Sequence, residues 1–421
     1  MGSQAATFAI LAVYVLIMVS IGVYTSRKTK STEDFLLGGR SVGSWLTAFS
    51  YGTTYFSAVV FIGYAGQFGW SYGVSSTWIG IGNAVIGSLI PFFLMGRRTR
   101  IMSNHLNAKT MPEFFEYRFD SKGLKTVSAA IVFIFLIPYT ASVYNGLSNL
   151  FNMVFDLGEY GATYIIIAMA ILSAVYVTLG GYKATSLNDF VQGIIMLIGI
   201  VAVIGAVLNQ HGGLMGSLIE LARYSDPNTV NGDVPGIFAS FLGPDPFSLL
   251  CVVILTSLGT WGLPQMVQKF YAIKSEKAVK TGTIVSTFFA VIVAGGCYFL
   301  GGFGRLTAGA VETKPDGSII YDSVIPTMIQ NLPEILIAVV VILVLSASMS
   351  TLSSLVLTSS STLTLDFIKG TIVKNFSEKK QMLTMRALVV VFIAISAIIA
   401  VVQYKSSVTF IAQLMGISWG A

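Results

Sequence analysis

The residues with the greatest chemical potential in this sequence are the hydroxyls of "SASMSTLSSLVLTSSSTLTLD", residues 346–366. Twelve of these 21 residues are Ser or Thr, and no charge occurs before Asp366. The segment directly continues the apolar run "ILIAVVVILVL", as is typical of a membrane helix that carries polar side chains. A single Ser or Thr in such a helix commonly bonds to a carbonyl one turn earlier or packs where helices touch. The dense cluster "STLSS" at 350–354 favours a binding site instead.

This cluster has the chemistry of a cation site. Ser354 follows Ser350 by four residues and Thr351 by three, so the three side chains share one helix face. Hard cations prefer several oxygen ligands in a fixed array. Neutral hydroxyls and freed backbone carbonyls can bind a monovalent cation without burying a carboxylate, whose desolvation is costly. The pattern predicts such a site, and chemistry alone does not choose sodium over another ion.

Asp189, in "SLNDFVQGIIMLIG", is the acidic residue that sits furthest into a predicted span. An ionisable residue inside a membrane helix is a functional candidate. Asp189 is also close to the cytoplasmic start of its helix, where a carboxylate is a favourable cap. Both roles, ion ligand and helix cap, are consistent with its position.

The composition indicates which elements position these residues. The chain has 421 residues, of which 54% are hydrophobic and 10% charged, with a mean hydropathy of +0.78. Soluble proteins carry roughly 25% charged residues, so this composition indicates an integral protein of the lipid bilayer with many spans. Its two cysteines lie in apolar runs and its two histidines in loops, so no Cys/His metal site is expected. Neither an enzyme's acid/base pair nor a GxxxxGK[ST] element is present, which disfavours catalysis and the use of ATP.

Apolar runs of about 20 residues predict ten membrane spans. They lie near 6–26, 43–69, 76–96, 125–153, 161–180, 185–208, 239–268, 280–303, 324–366 and 384–404, and an eleventh begins near 407 and is cut short. Alternate loops hold 21 of the 25 Lys and Arg. By the positive-inside rule these loops are cytoplasmic and the N-terminus is outside. The positive charge is therefore a topology signal of a cytoplasmic-membrane protein, and no nucleic-acid partner is expected.

Two predicted spans are interrupted at their centres by small or helix-breaking residues. The second reads "LTAFSYGTTYFSAVVFIGYAGQFGW" and the seventh "VVILTSLGTWGLPQMVQKF". Each opens a block of five spans, and paired interruptions of this kind indicate an inverted-repeat transporter with exposed backbone near the midplane. Gly and Pro are also common in membrane helices generally, so the pattern alone leaves both interpretations open. The interrupting residues are Gly52, Gly63, Gly66, Gly259, Gly262 and Pro264.

Four segments of the sequence resemble the sodium:solute symporter family, in the right order and on the right spans. They are "STEDFLLGGRSVGSW", "TLGGYKATSLNDFVQG", "GLPQMVQKFYAIKSEKAVKTG" (with Lys269 where an Arg is usual) and "SMSTLSSLVLTSSSTLTLDFIK". The resemblance implies an all-α, LeuT-type core of five plus five helices, preceded by one extra helix. Residues 1–42 would form the extra helix and a cytoplasmic loop, 43–208 the first repeat, 209–238 an external loop and 239–421 the second repeat, with its last helix incomplete.

The resemblance also implies the ligands of the transported species. The main sodium site would use the carbonyls of Thr53 and Phe56 from the broken second span. The carbonyls of Ala347 and Ser350 and the hydroxyls of Ser350 and Thr351 would complete it. A second cation site, present in only some members, would involve Asp189, Ser353 and Ser354, and all three residue types are present here. The implied solute contacts are Tyr55, Ser57, Tyr139, Thr256, Thr260 and Trp261.

The sequence defines the solute less closely than it defines the ion ligands. Tyr55 departs from the proline branch, which has an Asp there, while "TTYFSA" and "LNDFVQG" are closer to the pantothenate branch. Tyr139 and Trp261 are also residues typical of packing or interface anchoring. No buried Arg or Lys is expected near the site, so an anionic solute would be held by helix N-termini and hydroxyls.

Together these observations predict a sodium-coupled secondary active symporter that imports a small organic solute by alternating access. The solute would be an amino acid, a pantothenate-like molecule or another monocarboxylate. Two alternatives remain: a proton-coupled transporter of the same fold, with Asp189 as the protonated group, and a channel or solute-sensing membrane receptor. The absence of a charged ring or a repeated filter loop disfavours the channel. The sequence does not specify the sodium stoichiometry or the oligomeric state.

Overall fold

The computed structural model describes residues 2–155, 157–158, 160–373 and 375–403, and these residues form no β-strand. The α-helices, in chain order, are α1 (Gly2–Ser26), α2 (Thr32–Leu37), α3 (Ser44–Tyr55), α4 (Ala65–Tyr72), α5 (Thr77–Ala84), α6 (Arg97–His105), α7 (Met111–Phe119), α8 (Lys122–Phe155), α9 (Gly161–Gln210), α10 (Gly213–Ala222), α11 (Pro246–Leu258), α12 (Pro264–Ala272), α13 (Glu276–Gly301), α14 (Val324–Ile329), α15 (Glu334–Thr362) and α16 (Glu378–Gln403). Wider π-helical turns lie at Val59–Tyr64, Val85–Leu89, Phe92–Gly96 and Leu363–Ile372. The all-helical fold class is confirmed.

Seven helical stretches of the described chain are long and apolar enough to cross a membrane. The longest, Gly161–Gln210, has 50 residues, which at about 1.5 Å per residue is more than two crossings of a hydrocarbon core. It turns at Gly181, whose φ of 58° and close approach to Phe35 leave no room for a side chain. This turn separates the predicted spans 161–180 and 185–208. The chain is therefore a multi-pass membrane protein; the predicted eleventh span lies outside the described residues.

Both predicted interruptions are present. In the second span α3 ends at Tyr55, Phe56 is non-helical (φ −101°, ψ 82°), and the helix resumes at Val59. In the seventh span α11 ends at Leu258 and α12 begins at Pro264. A helix that stops inside the bilayer leaves backbone carbonyls without their usual N–H partners, and other groups must satisfy them. These two breaks therefore leave backbone carbonyl and N–H groups available for the predicted ion and solute sites.

The hydroxyl-rich helix α15 runs through the interior of the bundle. It packs against α3, α8, α9 and α16, and every side chain from Ser346 to Thr362 is buried. Its hydroxyls consequently face protein rather than lipid. The division of the chain at residues 42, 208 and 238 stays a prediction.

Helix α4, in the second half of the second span, packs very closely on α13. A Cβ atom added to Gly69 of α4 would overlap the backbone of Gly301 at the end of α13. Only glycine permits two helix backbones to approach this far, as at other small-residue contacts between membrane helices. The contact fixes α4 relative to the second half of the chain.

Candidate functional site

The end of α3 and the middle of α15 are joined by hydroxyl groups. The Ser350 hydroxyl donates to Thr53 Oγ1 over 2.7 Å, and the Thr351 hydroxyl lies 3.2 Å from the Thr54 carbonyl and 3.1 Å from the Ala347 carbonyl. All of these groups are buried. Four of the five residues predicted for the main sodium site, Thr53, Ala347, Ser350 and Thr351, are thus brought together.

The helix break explains why these contacts form. The Thr54 carbonyl belongs to the last turn of α3, where the intrahelical ladder stops, so a hydroxyl from α15 can satisfy it. Phe56, the fifth predicted sodium residue, lies at the break itself, and its ring stacks on that of Tyr55 at a centroid distance of 4.4 Å. The sequence of α3 thus places backbone oxygens where α15 presents its hydroxyls.

Only part of the hydroxyl-rich segment reaches other helices. Ser348 donates to the Val344 carbonyl and Ser353 to the Ser350 carbonyl, both over 2.8 Å and both within α15. Ser354 instead lies 3.0 Å from Thr54 Oγ1, and Thr358 donates to Gln268 over 2.7 Å. Some of these hydroxyls therefore bond to carbonyls of their own helix, as membrane hydroxyls commonly do. Those that face α3 and α12 form the candidate site.

The Asp189 carboxylate is buried and has a cationic neighbour. Ser50 of α3 donates a short hydrogen bond to its Oδ2 atom, and Lys269 Nζ lies 3.9 Å from the same atom. Asp189 lies well beyond the first turn after the Gly181 kink and bonds to a side chain, so the helix-cap interpretation is wrong. Its role as an ion ligand stays a prediction.

The expectation that no buried Lys or Arg would lie near the site is wrong. Only 2% of the Lys269 side chain is exposed, and its ammonium donates to Ser50 over 2.7 Å and to Ser354 over 2.9 Å. The sequence argument assigned Lys269 to a cytoplasmic loop because charge ordinarily marks the end of a span. In the structure α12 continues past this residue, and every side chain from Gln265 to Ala272 is buried.

Four of the predicted solute residues are buried at or beside the two breaks. Tyr55 Oη donates to the Thr256 carbonyl over 2.9 Å, and the Thr260 hydroxyl donates to the Ser257 carbonyl over the same distance. Ser57 is buried at the break of the second span. Tyr55, Thr256 and Thr260 are consequently placed where the two interrupted spans meet.

The other two predicted solute residues, Trp261 and Tyr139, make different contacts. Trp261 is partly exposed and donates from Nε1 to the Ile86 carbonyl over 2.8 Å, which anchors the seventh span to the third. Tyr139 lines a largely apolar cavity of about 420 Å³ that extends from Met111 of α7 to Gly259 and Gly262 in the break of the seventh span. Of the six predicted solute residues, Tyr139 is the one that lines this cavity.

The sequence analysis did not single out Arg305, which joins the connection after α10 to the end of α4. Its buried guanidinium donates to the Trp70 carbonyl, to Asp226 and to Thr229 over 2.7–2.9 Å and lies 3.8 Å from the ring centroid of Phe238. Partial burial disfavours the charge on Asp226, yet hydrogen bonds from Arg305 and from the following residues lower the pKa of this carboxyl. The sequence does contain a signal for this residue: Arg305 is one of the few positively charged residues in the loops predicted to be external.

The sequence matches the model of the family described as SSF: Sodium:solute symporter family over residues 35–420. A curated protein, the Sodium/proline symporter of Staphylococcus aureus (strain JH9), is 31% identical over 374 residues, which cover 86% of this chain and 68% of the relative. A Na+-coupled sialic acid symporter, solved in a substrate-bound outward-open state, is 18% identical and superposes with a TM-score of 0.80 over 98% of this chain and 84% of its own. The inward-facing conformation of Mhp1 gives a TM-score of 0.53 at 15% identity, over 89% and 74% of the two chains. The two structural likenesses concern the fold.

Proposed function

The chain belongs to the sodium:solute symporter family and couples sodium to the transport of a small solute, and we propose that sodium binds where the broken end of α3 meets α15. The ligands would be the carbonyls of Thr53, Phe56 and Ala347, the carbonyl and hydroxyl of Ser350, and the hydroxyl of Thr351. The observation that carries the proposal is the pair of contacts from Ser350 to Thr53 and from Thr351 to the Thr54 carbonyl. These oxygens are neutral, buried and contributed by two different helices, as a monovalent cation site requires.

Coupling follows from the position of this site. Sodium bound between α3 and α15 favours the conformer in which their oxygens converge, and the solute must prefer that same conformer if its transport is to depend on sodium. The last residue of α3, Tyr55, bonds to the seventh span at Thr256. An ion that orders the end of α3 would therefore also order the solute contacts at Tyr55, Ser57, Thr256 and Thr260, with Tyr139 and Trp261 at the edge.

The proposed solute is an amino acid, a pantothenate-like molecule or another monocarboxylate. The similar proteins are named for proline and for sialic acid, both of which carry a carboxyl group. The buried hydroxyls and freed backbone groups around the two breaks can hydrogen-bond such a solute without a dedicated charge. Tyr55 and the adjacent "TTYFSA" segment favour a pantothenate-like solute over proline.

The proposal is tested by uptake into proteoliposomes of labelled proline, other amino acids, pantothenate, short monocarboxylates and sugars. We expect one class to accumulate against its gradient when sodium is outside, and to stop accumulating when choline replaces sodium at fixed pH. Accumulation that persists in choline and follows a pH gradient would instead identify a proton-coupled transporter. Flux without accumulation would identify a channel.

We also propose that the N-terminus is outside and that the connection at 273–275, between α12 and α13, faces the cytoplasm, because most Lys and Arg lie on that side. The test replaces Cys251 and Cys297 by Ala and introduces one cysteine, either Lys314→Cys or Lys274→Cys. A membrane-impermeant maleimide applied to intact cells should label the first variant and not the second. The reverse labelling pattern would invert the topology.

A further inference from the structure

We propose that the second cation of this transporter is the ammonium group of Lys269 itself, so that each chain binds a single sodium ion. The inference rests on the proposed sodium site between α3 and α15. It concerns the neighbouring position formed by Asp189 and Ser354, two of the three residues predicted for a second cation.

The ammonium is surrounded by groups that bind a cation. Its donors reach Ser50 Oγ at 2.7 Å and Ser354 Oγ at 2.9 Å. The Asp189 carboxylate lies 3.9 Å away, and the ring centroid of Tyr182 lies 5.2 Å away. Because Ser50 donates its own proton to Asp189, this hydroxyl links the ammonium to the carboxylate. The charge of Lys269 is thus compensated although its side chain is almost fully buried.

The charges of Lys269 and Asp189 already balance each other at this position, so a sodium ion there would add an uncompensated positive charge. A sodium ion placed about 4 Å from the ammonium would be repelled strongly, because water screens like charges only weakly in a buried site. The third predicted residue, Ser353, donates within its own helix to the Ser350 carbonyl. The Ser354 hydroxyl that a second sodium ion would need is therefore bound to Lys269, the Ser353 hydroxyl is turned into its own helix, and the charge of Asp189 is already balanced by the ammonium.

Helix α12 holds the ammonium in this place. Gln268, next to Lys269, donates to the Leu36 carbonyl over 3.0 Å and accepts from Thr358 of α15 over 2.7 Å. These bonds clamp α12 between the segment after the first span and the hydroxyl-rich helix. A cation tethered in this way does not leave with the solute, so it compensates Asp189 without contributing to the transported charge.

The inference is tested by the equilibrium binding of radioactive sodium to the purified full-length protein in lipid nanodiscs. We expect one sodium ion per wild-type chain. Lys269→Ala exposes Asp189, Ser50 and Ser354 and should bind two, whereas Lys269→Arg keeps the tethered charge and should bind one. Adding Thr351→Ala to Lys269→Ala should weaken the binding of one of the two ions about tenfold and leave the other unchanged, because only the main site uses the Thr351 hydroxyl.

Two results would overturn the inference: a wild-type chain that binds two sodium ions, or a folded Lys269→Ala chain that binds one. The wild-type count decides the matter even if Lys269→Ala fails to fold, and Lys269→Met, of similar length and without charge, provides a second variant. If the proposed main sodium site between α3 and α15 is wrong, the binding experiment gives a different result. In that case the wild type binds one sodium ion with an affinity that Thr351→Ala does not change, which still supports the single-ion count.

Discussion

The phenolic oxygen of Tyr55 donates a hydrogen bond of 2.9 Å to the backbone carbonyl of Thr256. Tyr55 is the last residue of α3, and Thr256 lies in the last turn of α11. The bond therefore joins the two interrupted spans at their breaks. It is a direct connection between the helix that carries the proposed sodium ligands and the helix that carries several proposed solute contacts.

Replacing Tyr55 by Phe removes this bond and keeps the ring. We expect sodium binding to change by less than about twofold, while the stimulation of solute binding by sodium falls about fivefold, since one buried hydrogen bond contributes roughly 1 kcal/mol. The measurement is solute binding with and without sodium. Tyr51→Phe is the matched control, because Tyr51 of the same helix bonds to the Gly87 carbonyl of the third span and not to the seventh span. Equal effects of the two variants would contradict the assignment.

Thr351→Ala removes a hydroxyl that faces α3. We expect the sodium dissociation constant to rise about tenfold, because loss of one oxygen ligand from a buried site costs more than 1 kcal/mol. Thr351→Ser should retain most of the affinity. Ser348→Ala is the control, since this buried hydroxyl bonds only to the Val344 carbonyl of its own helix. Radioactive sodium binding distinguishes the variants, and an unchanged affinity in Thr351→Ala would contradict the site.

Gly262→Leu fills the cavity beside Tyr139. A Cβ atom at Gly262 meets no other atom within 4 Å, so the side chain can be added without disturbing the fold. We expect solute uptake to fall at least about tenfold, because the cavity can no longer admit a solute of its size. Sodium binding should persist. If uptake survives with normal kinetics, the solute does not use this cavity.

Gly69→Ala should destabilise the fold, because its Cβ atom would overlap the backbone of Gly301 and neither backbone can move aside. We expect a loss of roughly 1–3 kcal/mol, as for other overpacked contacts. Gly205→Ala is the matched control, since no atom lies within 4 Å of its added methyl group. It should shift the free energy of unfolding by less than about 1 kcal/mol. Thermal unfolding in detergent compares the two.

The bond between Arg305 and Asp226 predicts that the stability of the protein depends on pH. The folded protein lowers the pKa of Asp226, so its contribution to stability is complete above the unfolded pKa of about 4 and is lost as the pH falls through the lower folded value. Asp226→Asn should therefore lower the melting temperature at pH 7, and the difference from wild type should shrink below about pH 4. Asp233→Asn, at an exposed position of the same loop, should show no such difference.

Much of the fold could be predicted because membrane spans are long apolar runs that the hydropathy of the sequence reveals. The interruption at 259–263 was also predictable, since Gly259, Gly262 and Pro264 stop the helix there. That at 56–58 contains neither Gly nor Pro and falls between Gly52 and Gly63, which are both helical, so the sequence predicts its span but not its position. The turn at Gly181 separates two apolar runs that the sequence already divides. These features are local, so a single sequence contains them.

The position of Lys269 could not be predicted in the same way. Its neighbours Gln265 and Gln268 are polar, so the end of the seventh span looks like a loop. In the structure Gln268 and Lys269 bond to partners from distant parts of the chain, including Leu36, Ser50 and Thr358. A charge is buried only where such partners converge, and that convergence is a property of the tertiary structure.

The bond from Ser350 to Thr53 has a thermodynamic consequence for the transport cycle. An ion that binds the Ser350 hydroxyl at the proposed site competes with an existing interaction, so its net gain is a difference between two favourable states. Such an exchange would give moderate rather than extreme affinity, which suits an ion that must be released on the side where it is scarce. After release the same hydrogen bond can form again, so the empty transporter would keep α3 and α15 in contact.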